Sequence, residues 1–331
     1  MIERPAIHQA DLCHYQGTLR GTKGYAAIST CKGLIQGVIH DGEDLWHLHP
    51  NAQGSFHLYR HSHQKESNLT CGYKDPPRVK RDIAASSDLK NGLKANRGQD
   101  EIDLLTTSTS SLRGPWNANK RSRYVELVLV VDNLEFKEHD SDLDKVYRIC
   151  KDVANVMNAL YSPLNIYIAL VGVVVWTEFD EIQLSTDGDT TLKNFLHYRK
   201  ERLVKDHPND NAQLLTGIHF EAGVVGKALK GPICTYEFSG GVSMWHSDVV
   251  GLVATTVAHE MGHNFGMDHD KEDCECPDEK CIMAPASSTM KPTFWSSCSL
   301  EHLALAFEHG KQACQIKKKK LHCRFGSILR V

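Results

Sequence analysis

The chain has 331 residues, enough for two domains of ordinary size, and its hydrophobic share of 41% suits a folded core. A net charge of −3 argues against nucleic acid or an anionic membrane surface as a partner. The longest apolar run, Ile166 to Trp176, is too short to span a bilayer, and the N-terminus lacks the basic, apolar and small-residue succession of a signal peptide.

Eleven cysteines are many for a cytosolic protein, where thiols stay reduced, and six of them fall between Cys234 and Cys314. Asn68-Leu69-Thr70 is a glycosylation sequon, although such sequons are common by chance. The expected location is therefore extracellular or at the cell surface, through the secretory pathway. A secretory chain without a signal peptide reads as a fragment whose true start is missing.

Residues 1–75 combine Gly-rich turns, short apolar stretches and eight histidines, most of them read as surface residues with no special role. Arg78-Val79-Lys80-Arg81 follows Pro76-Pro77. A basic run of this kind is ordinarily a solvated loop. Between two domains of a secretory chain it reads better as a site for a furin-like processing protease, with cleavage after Arg81. Residues 82–122, rich in Ser, Thr, Asn and charge without apolar period, have the composition of a linker.

A second domain opens with the β-branched run Tyr124 to Val131, a predicted strand. Val146, Ile149, Cys150, Val153, Met157 and Leu160 recur at helical spacing. Ile166 to Trp176 reads as a strand buried on both faces. Leu192, Phe195, Leu196 and Leu203 mark a second helix, Ala212 to Gly217 a third strand and Val224 to Leu229 a weaker fourth. A third helix is expected after Ser247 as N-cap, running through Val249, Val250, Val253, Val257 and Met261. A last helix follows Ser299, with Leu300, Leu303, Ala304 and Phe307 on one face. Alternating strands and helices predict an α/β fold around a mostly parallel sheet.

The third helix ends in His259-Glu260-Met261-Gly262-His263. Residues i and i+4 share a helix face, so two imidazoles there can grip one zinc ion. Glu260 can reach a metal-activated water without ligating the metal. Asn264-Phe265-Gly266-Met267-Asp268-His269-Asp270 follows at once. Gly266 falls where the helix must stop, and the turn can return His269 as a third ligand. Three histidines leave one position of tetrahedral zinc open, as catalytic sites need. Glu260 would then act as general base and proton carrier for peptide hydrolysis.

The string His259 to Asp270 is similar to the extended zinc motif of the metzincins. Asp270 after the third His resembles the adamalysin or reprolysin branch, which covers the ADAM proteases, with the meltrin-like ADAMs as the nearest likeness. Cys281-Ile282-Met283 resembles that family's Met-turn, with Met283 beneath the zinc, although alone Met283 would be an ordinary core methionine. The resemblance extends over about 124–314, includes Arg123 to Leu127, Asn211 to Leu214 and Ser296 to Ser299, and implies a catalytic domain over 123–314. It implies a five-stranded sheet with helices and a zinc cleft between an upper and a lower subdomain. It also implies disulfides Cys234–Cys314, Cys274–Cys298 and Cys276–Cys281; Cys150, on the apolar face of its helix, should be a buried free thiol. The S1′ wall would follow Met283, at Ala284 and Pro285. A substrate would lie as an added strand along Val224 to Leu229.

Residues 1–81 resemble the end of an ADAM prodomain in Cys13 to Gly17 and Ser29 to Gly33. Thr70-Cys71-Gly72 stands where the family keeps its cysteine switch, which implies a zymogen with Cys71 at the fourth zinc position. The alternative is a Cys71 that is disulfide-bonded or idle; Cys13 and Cys31 can pair and leave it free. Three departures stand out: the prodomain lacks its first half, the family's later domains are absent, and a divergent basic tail covers 315–331. Some relatives bind a structural calcium. Glu126, Asp210 and the Cys314 carbonyl match its ligands, but Lys317 stands where an Asn is needed, so no calcium site is expected. The competing function is a non-catalytic regulatory or adhesion form, against which the intact zinc string argues.

Overall fold

The computed structural model describes residues 2–3, 13–22, 24–51, 53–63, 69–75, 122–276, 281–285 and 294–308. Asn68, Arg81, Cys314, Lys317, Cys323, residues 82–121 of the linker and the basic tail lie outside them.

Among the described residues, twelve strands run in chain order as β1 (Ile2–Glu3), β2 (His14–Thr18), β3 (Tyr25–Ser29), β4 (Gln36–His40), β5 (Leu45–Pro50), β6 (Phe56–Arg60), β7 (Thr70–Cys71), β8 (Arg123–Val131), β9 (Ile166–Val175), β10 (Asn211–Thr216), β11 (Val224–Ala228) and β12 (Gly240–Met244). The helices are α1 (Asn133–Glu138), α2 (Leu143–Tyr161), α3 (Gly188–Tyr198), the single turn α4 (Val204–Asp206), α5 (Val250–Asn264) and α6 (Ser297–Glu308).

Against the expected mostly parallel five-stranded sheet, the observed one is mixed and has seven strands in the order β1-β9-β8-β10-β12-β11-β7. Strands β8 to β12 form its centre, with β12 and β11 antiparallel. Each edge gains a short strand from the N-terminal segment: β1 pairs antiparallel with β9, and β7 pairs parallel with β11. The apolar run of β8 serves two cores, as a strand covered on both faces must. Leu127, Leu129 and Val131 join the core of α2 and α5, while Val128 and Val130 join that of α3. Asp142 caps α2 by accepting from the Lys145 N–H at 3.1 Å, and Asp187 caps α3 from the Thr190 N–H at 3.1 Å. Such caps contribute about 1 kcal/mol each.

The predicted strand boundaries differ by a residue or two, but β12 lies outside every predicted element. Its sequence, Gly240-Gly241-Val242-Ser243-Met244, carries two glycines that suppress the strand signal. Both are needed sterically: a Cβ on Gly240 would lie 2.7 Å from the Ala212 carbonyl, and one on Gly241 2.5 Å from Gln213 Oε1. The start of α5 is also later than expected. Ser247 Oγ accepts from the Val249 N–H at 3.1 Å and makes a turn, and Val249 takes the cap position with no side-chain bond.

Strands β2 to β6 form a separate antiparallel meander. Ala27, Val38 and Leu45 from it are part of the same core as α2 and α5. A polar seam fixes its register on α2. His14 Nε2 lies 2.9 Å from Asp152 Oδ1, the Gln36 amide donates to Asp152, and the Gln16 amide donates to Asn155 Oδ1 at 2.9 Å. The expectation of surface histidines fails for His40, His47 and His61, which are all buried. His40 packs against the Tyr25 and Phe294 rings, His61 Nδ1 lies 2.9 Å from His47 Nε2, and His47 itself docks closely on α5. A Cβ at Gly251 would lie 2.7 Å from His47 Nδ1, so the glycine makes room for the ring.

The structure joins Cys13 to Cys31, Cys274 to Cys298 and Cys276 to Cys281. Cys234 is also disulfide-bonded, and Cys150 is a buried free thiol on α2. Among the described residues, no helix is long and apolar enough to cross a membrane.

Candidate metal centre

Helix α5 is buried along nearly its whole length and carries His259, Glu260 and His263 into the interior. It is anchored from α2, where the Tyr161 hydroxyl donates to the Ala258 carbonyl at 2.7 Å. One turn separates the two histidines, whose ring centroids are 4.8 Å apart. The helix then ends in a Schellman turn. Gly266, at φ +96°, donates to the His263 carbonyl at 2.8 Å, and the Met267 N–H donates to that of Gly262 at 3.1 Å. The chain reverses there and brings the His269 ring to 4.7 Å from that of His263 and 5.3 Å from that of His259.

Ligand atoms of Cys71, His259, His263 and His269 all lie within 4.8 Å of one another. The outward nitrogens of the three rings are each engaged. His259 Nδ1 lies 2.7 Å from the Ile282 carbonyl, His263 Nδ1 2.9 Å from that of Met267, and His269 Nδ1 3.0 Å from Asp75 Oδ2. Protons on those nitrogens leave the Nε2 lone pairs pointing at one another, and His263 Nε2 and His269 Nε2 are 3.2 Å apart. The buried Nε2 of His259 has no hydrogen-bond partner among the described residues. Converging lone pairs without a donor between them suit a cation, and three imidazoles with one thiol are a zinc donor set.

Burial sets the charge states. It holds His259 down to about 3, with His269 adding to the effect, and keeps His263 well below the usual imidazole range. His269 is lowered by burial, with Asp75 opposing. Neutral imidazoles are the ligating form. Burial pushes the Glu260 carboxyl up to about 8, against the pull of the Cys71 thiol and the Lys227 ammonium. Burial and Glu260 together push the Cys71 thiol well above its ordinary value. A divalent cation reverses this last preference, because a coordinating thiol gives up its proton.

The surroundings of the site are tight. A Cβ on Gly226 of β11 would lie 2.4 Å from Glu260 Oε1. A Cβ on Gly262 would lie 2.6 Å from Met283 Sδ, so Met283 packs directly under the histidine pair. Asp270 ties that turn down: its N–H donates to the Met283 carbonyl at 2.9 Å, and the Ser296 hydroxyl donates to its carboxylate.

Residues 69–75 lie between β11 and the turn after Met283. The Cys71 N–H donates to the Pro285 carbonyl at 3.2 Å, and the Gly72 N–H to that of Gly226 at 2.9 Å. Cys71 Sγ is 3.5 Å from His263 Nε2. The Tyr73 ring lies 4.3 Å from the His263 ring, and its hydroxyl donates to Asp268 Oδ1 at 3.3 Å. Tyr73, Asp75 and Gly226 are site residues that sequence reasoning missed. The usable signal for the first two was alternation: from Cys71, an extended chain returns every second side chain to the same face.

Of the matched calcium residues, the Asp210 carboxylate accepts from the Glu126 N–H at 3.0 Å. The remaining positions lie outside the described residues.

Residues 123–318 match the Reprolysin (M12B) family zinc metalloproteases. The chain is 35% identical over 328 residues to disintegrin and metalloproteinase domain-containing protein 12 of Mus musculus, covering 96% of this chain and 34% of that one. It is 36% identical over 306 residues to protein adm-2 of the same description from Caenorhabditis elegans, covering 91% and 30%. Identity to disintegrin and metalloproteinase domain-containing protein 19 of Homo sapiens is 35% over 311 residues, covering 92% and 31%. The chain thus spans about a third of the length of the curated relatives it matches.

Proposed function

This chain belongs to the reprolysin (M12B) family of zinc metalloproteases, and from that premise we propose that it is a zinc endopeptidase made in latent form. The carrying observation is the convergence of His259, His263 and His269 beside Glu260, with every outward ring nitrogen already engaged. Zinc held by the three histidines would supply Lewis acidity, acidifying a water and polarising a peptide carbonyl. Glu260 takes the proton of the attacking water and returns it to the leaving amine. Met283 supports the histidine pair from below.

The Cys71 thiol would hold the zinc together with the three histidines and keep water from it while residues 69–75 stay in place. The substrate takes the edge of β11 that this segment occupies, in a cleft between the upper sheet and a lower subdomain built around the Met283 turn. Residues 1–81 act as the end of a prodomain, 82–122 as a linker, 123–314 as the catalytic domain and 315–331 as a divergent tail. A furin-like protease cuts after Arg81, Asn68 carries a glycan, and the substrates are extracellular or cell-surface proteins. Cys234 pairs with Cys314. With Lys317 at the calcium position, the chain holds no calcium.

The decisive test is Glu260→Ala in the chain cut after Arg81. Peptide hydrolysis should fall by about 100-fold or more while zinc content stays at one per chain. Near-normal turnover in that variant would exclude Glu260 as the base, whereas a cut parent chain with zinc bound and no turnover would favour the non-catalytic alternative.

A further inference from the structure

We infer that Asp75 is a positioning residue of the latent metal centre, holding the ring of His269 so that its Nε2 faces the ligand cluster. The inference rests on the zinc reading of that centre. Two of the three histidines have their outward nitrogen met from within their own domain, His259 by the Ile282 carbonyl and His263 by that of Met267. His269 differs. Its Nδ1 lies 3.0 Å from Asp75 Oδ2, and its backbone N–H donates to Asp75 Oδ1 at 3.2 Å. One carboxylate from a distant segment therefore grips both the ring and the backbone of the third ligand.

A carboxylate acceptor at Nδ1 keeps the proton there and leaves the Nε2 lone pair for the cation. No neighbour replaces it. Asp268, the adjacent acid, is engaged by the Lys230 ammonium and the Tyr73 hydroxyl. Asp75 reaches His269 because residues 71–75 are extended and Cys71, Tyr73 and Asp75 fall on one face. The same segment thus occupies the fourth metal position with Cys71 and completes the third ligand with Asp75. It follows that the segment supports zinc in two ways, directly through the Cys71 thiol and indirectly through the His269 ring, and that its removal loosens His269 as well as vacating a ligand position.

The test is zinc affinity of the full uncut chain, measured by competition with a chromogenic chelator, so that no activity is read. Asp75→Ala should weaken zinc binding by about 10- to 100-fold, the usual cost of losing a carboxylate that orients a ligating histidine. Asp75→Asn, which keeps an acceptor oxygen in the same place, should recover most of the loss. Cobalt(II) in place of zinc should give a ligand-field spectrum that changes in Asp75→Ala and returns in Asp75→Asn. Should Asp75→Ala misfold, Asp75→Ser serves the same comparison. Zinc affinity within twofold of the parent in the alanine or serine variant would overturn the role of Asp75 and leave the peptidase reading intact. A parent chain that takes up no zinc would overturn both.

Discussion

His259, Glu260, His263 and His269 lie within eleven consecutive residues, whereas the N-terminal segment meets them from far along the chain. Cys71 is 192 residues from His263, and Asp75 is 194 from His269. The first group is assembled by local geometry: one helical turn, then a left-handed glycine. The second is assembled by sheet pairing with β11 and by docking of the β2 to β6 meander on α2 and α5. The comparison teaches that His259 and His263 are placed by their own helix and His269 by the turn that follows, while the contacts of Cys71 and Asp75 with them need the N-terminal unit to be seated. The two regions meet along β11, where Gly226 touches Glu260 on one side and Gly72 on the other.

Cutting the contact itself has the largest expected effect. Cys71→Ala in the uncut chain should raise peptide turnover by two orders of magnitude or more, because a tethered ligand acts at high effective concentration. Equal latency in variant and parent would break the assignment of Cys71 as the blocking group. Gly226→Ala should act in the opposite direction. Its Cβ would press on Glu260 Oε1, so turnover of the Cys71→Ala background should fall about 100-fold, at unchanged zinc content. Retained turnover would mean that β11 yields more readily than its packing implies.

The seam on α2 sharpens the other side of the comparison. Asp152→Ala leaves His14 and Gln36 without their buried acceptor and should cost about 1–3 kcal/mol. Denaturant unfolding measures that loss. Limited proteolysis should show residues 13–63 becoming susceptible before the α5 region does.

The smallest expected effect is a pH slope. Burial, then His61, lowers His47 to about 3, whereas an unfolded chain titrates near its ordinary 6.5. The unfolded state therefore binds the extra proton, and stability is full above pH 6.5 and declines as pH falls toward 3. Between pH 6.5 and 5 this single group should remove about 2 kcal/mol. His47→Gln should flatten the slope by that amount in urea unfolding at the two pH values, and an unchanged slope would remove His47 from the account.

Much of the centre was legible because its information is local. His259 and His263 share a helix face by spacing alone, and Gly266 marks the turn that returns His269. The strands of residues 1–63 were not legible. Apart from the two-residue β1 they are five or six residues long, broken by glycine turns, and their buried apolar side chains are few, as at Ala27 and Val38. Their strength comes from neighbours on α2 and α5, which no window along the chain contains.

The sequence by itself determined that His259, Glu260, His263 and His269 would be grouped, and the order of most secondary elements in residues 123–308, with α1 and β12 the exceptions. Hydrogen bonding and side-chain periodicity within a helix or strand extend over only a few residues. Only the tertiary structure decided that β1 and β7 complete the sheet at both edges, that His40 and His47 are interior groups, and that Asp75 meets His269. Those outcomes depend on the burial of one surface against another, and the partner for each buried group is chosen by the docked shape of elements distant in sequence.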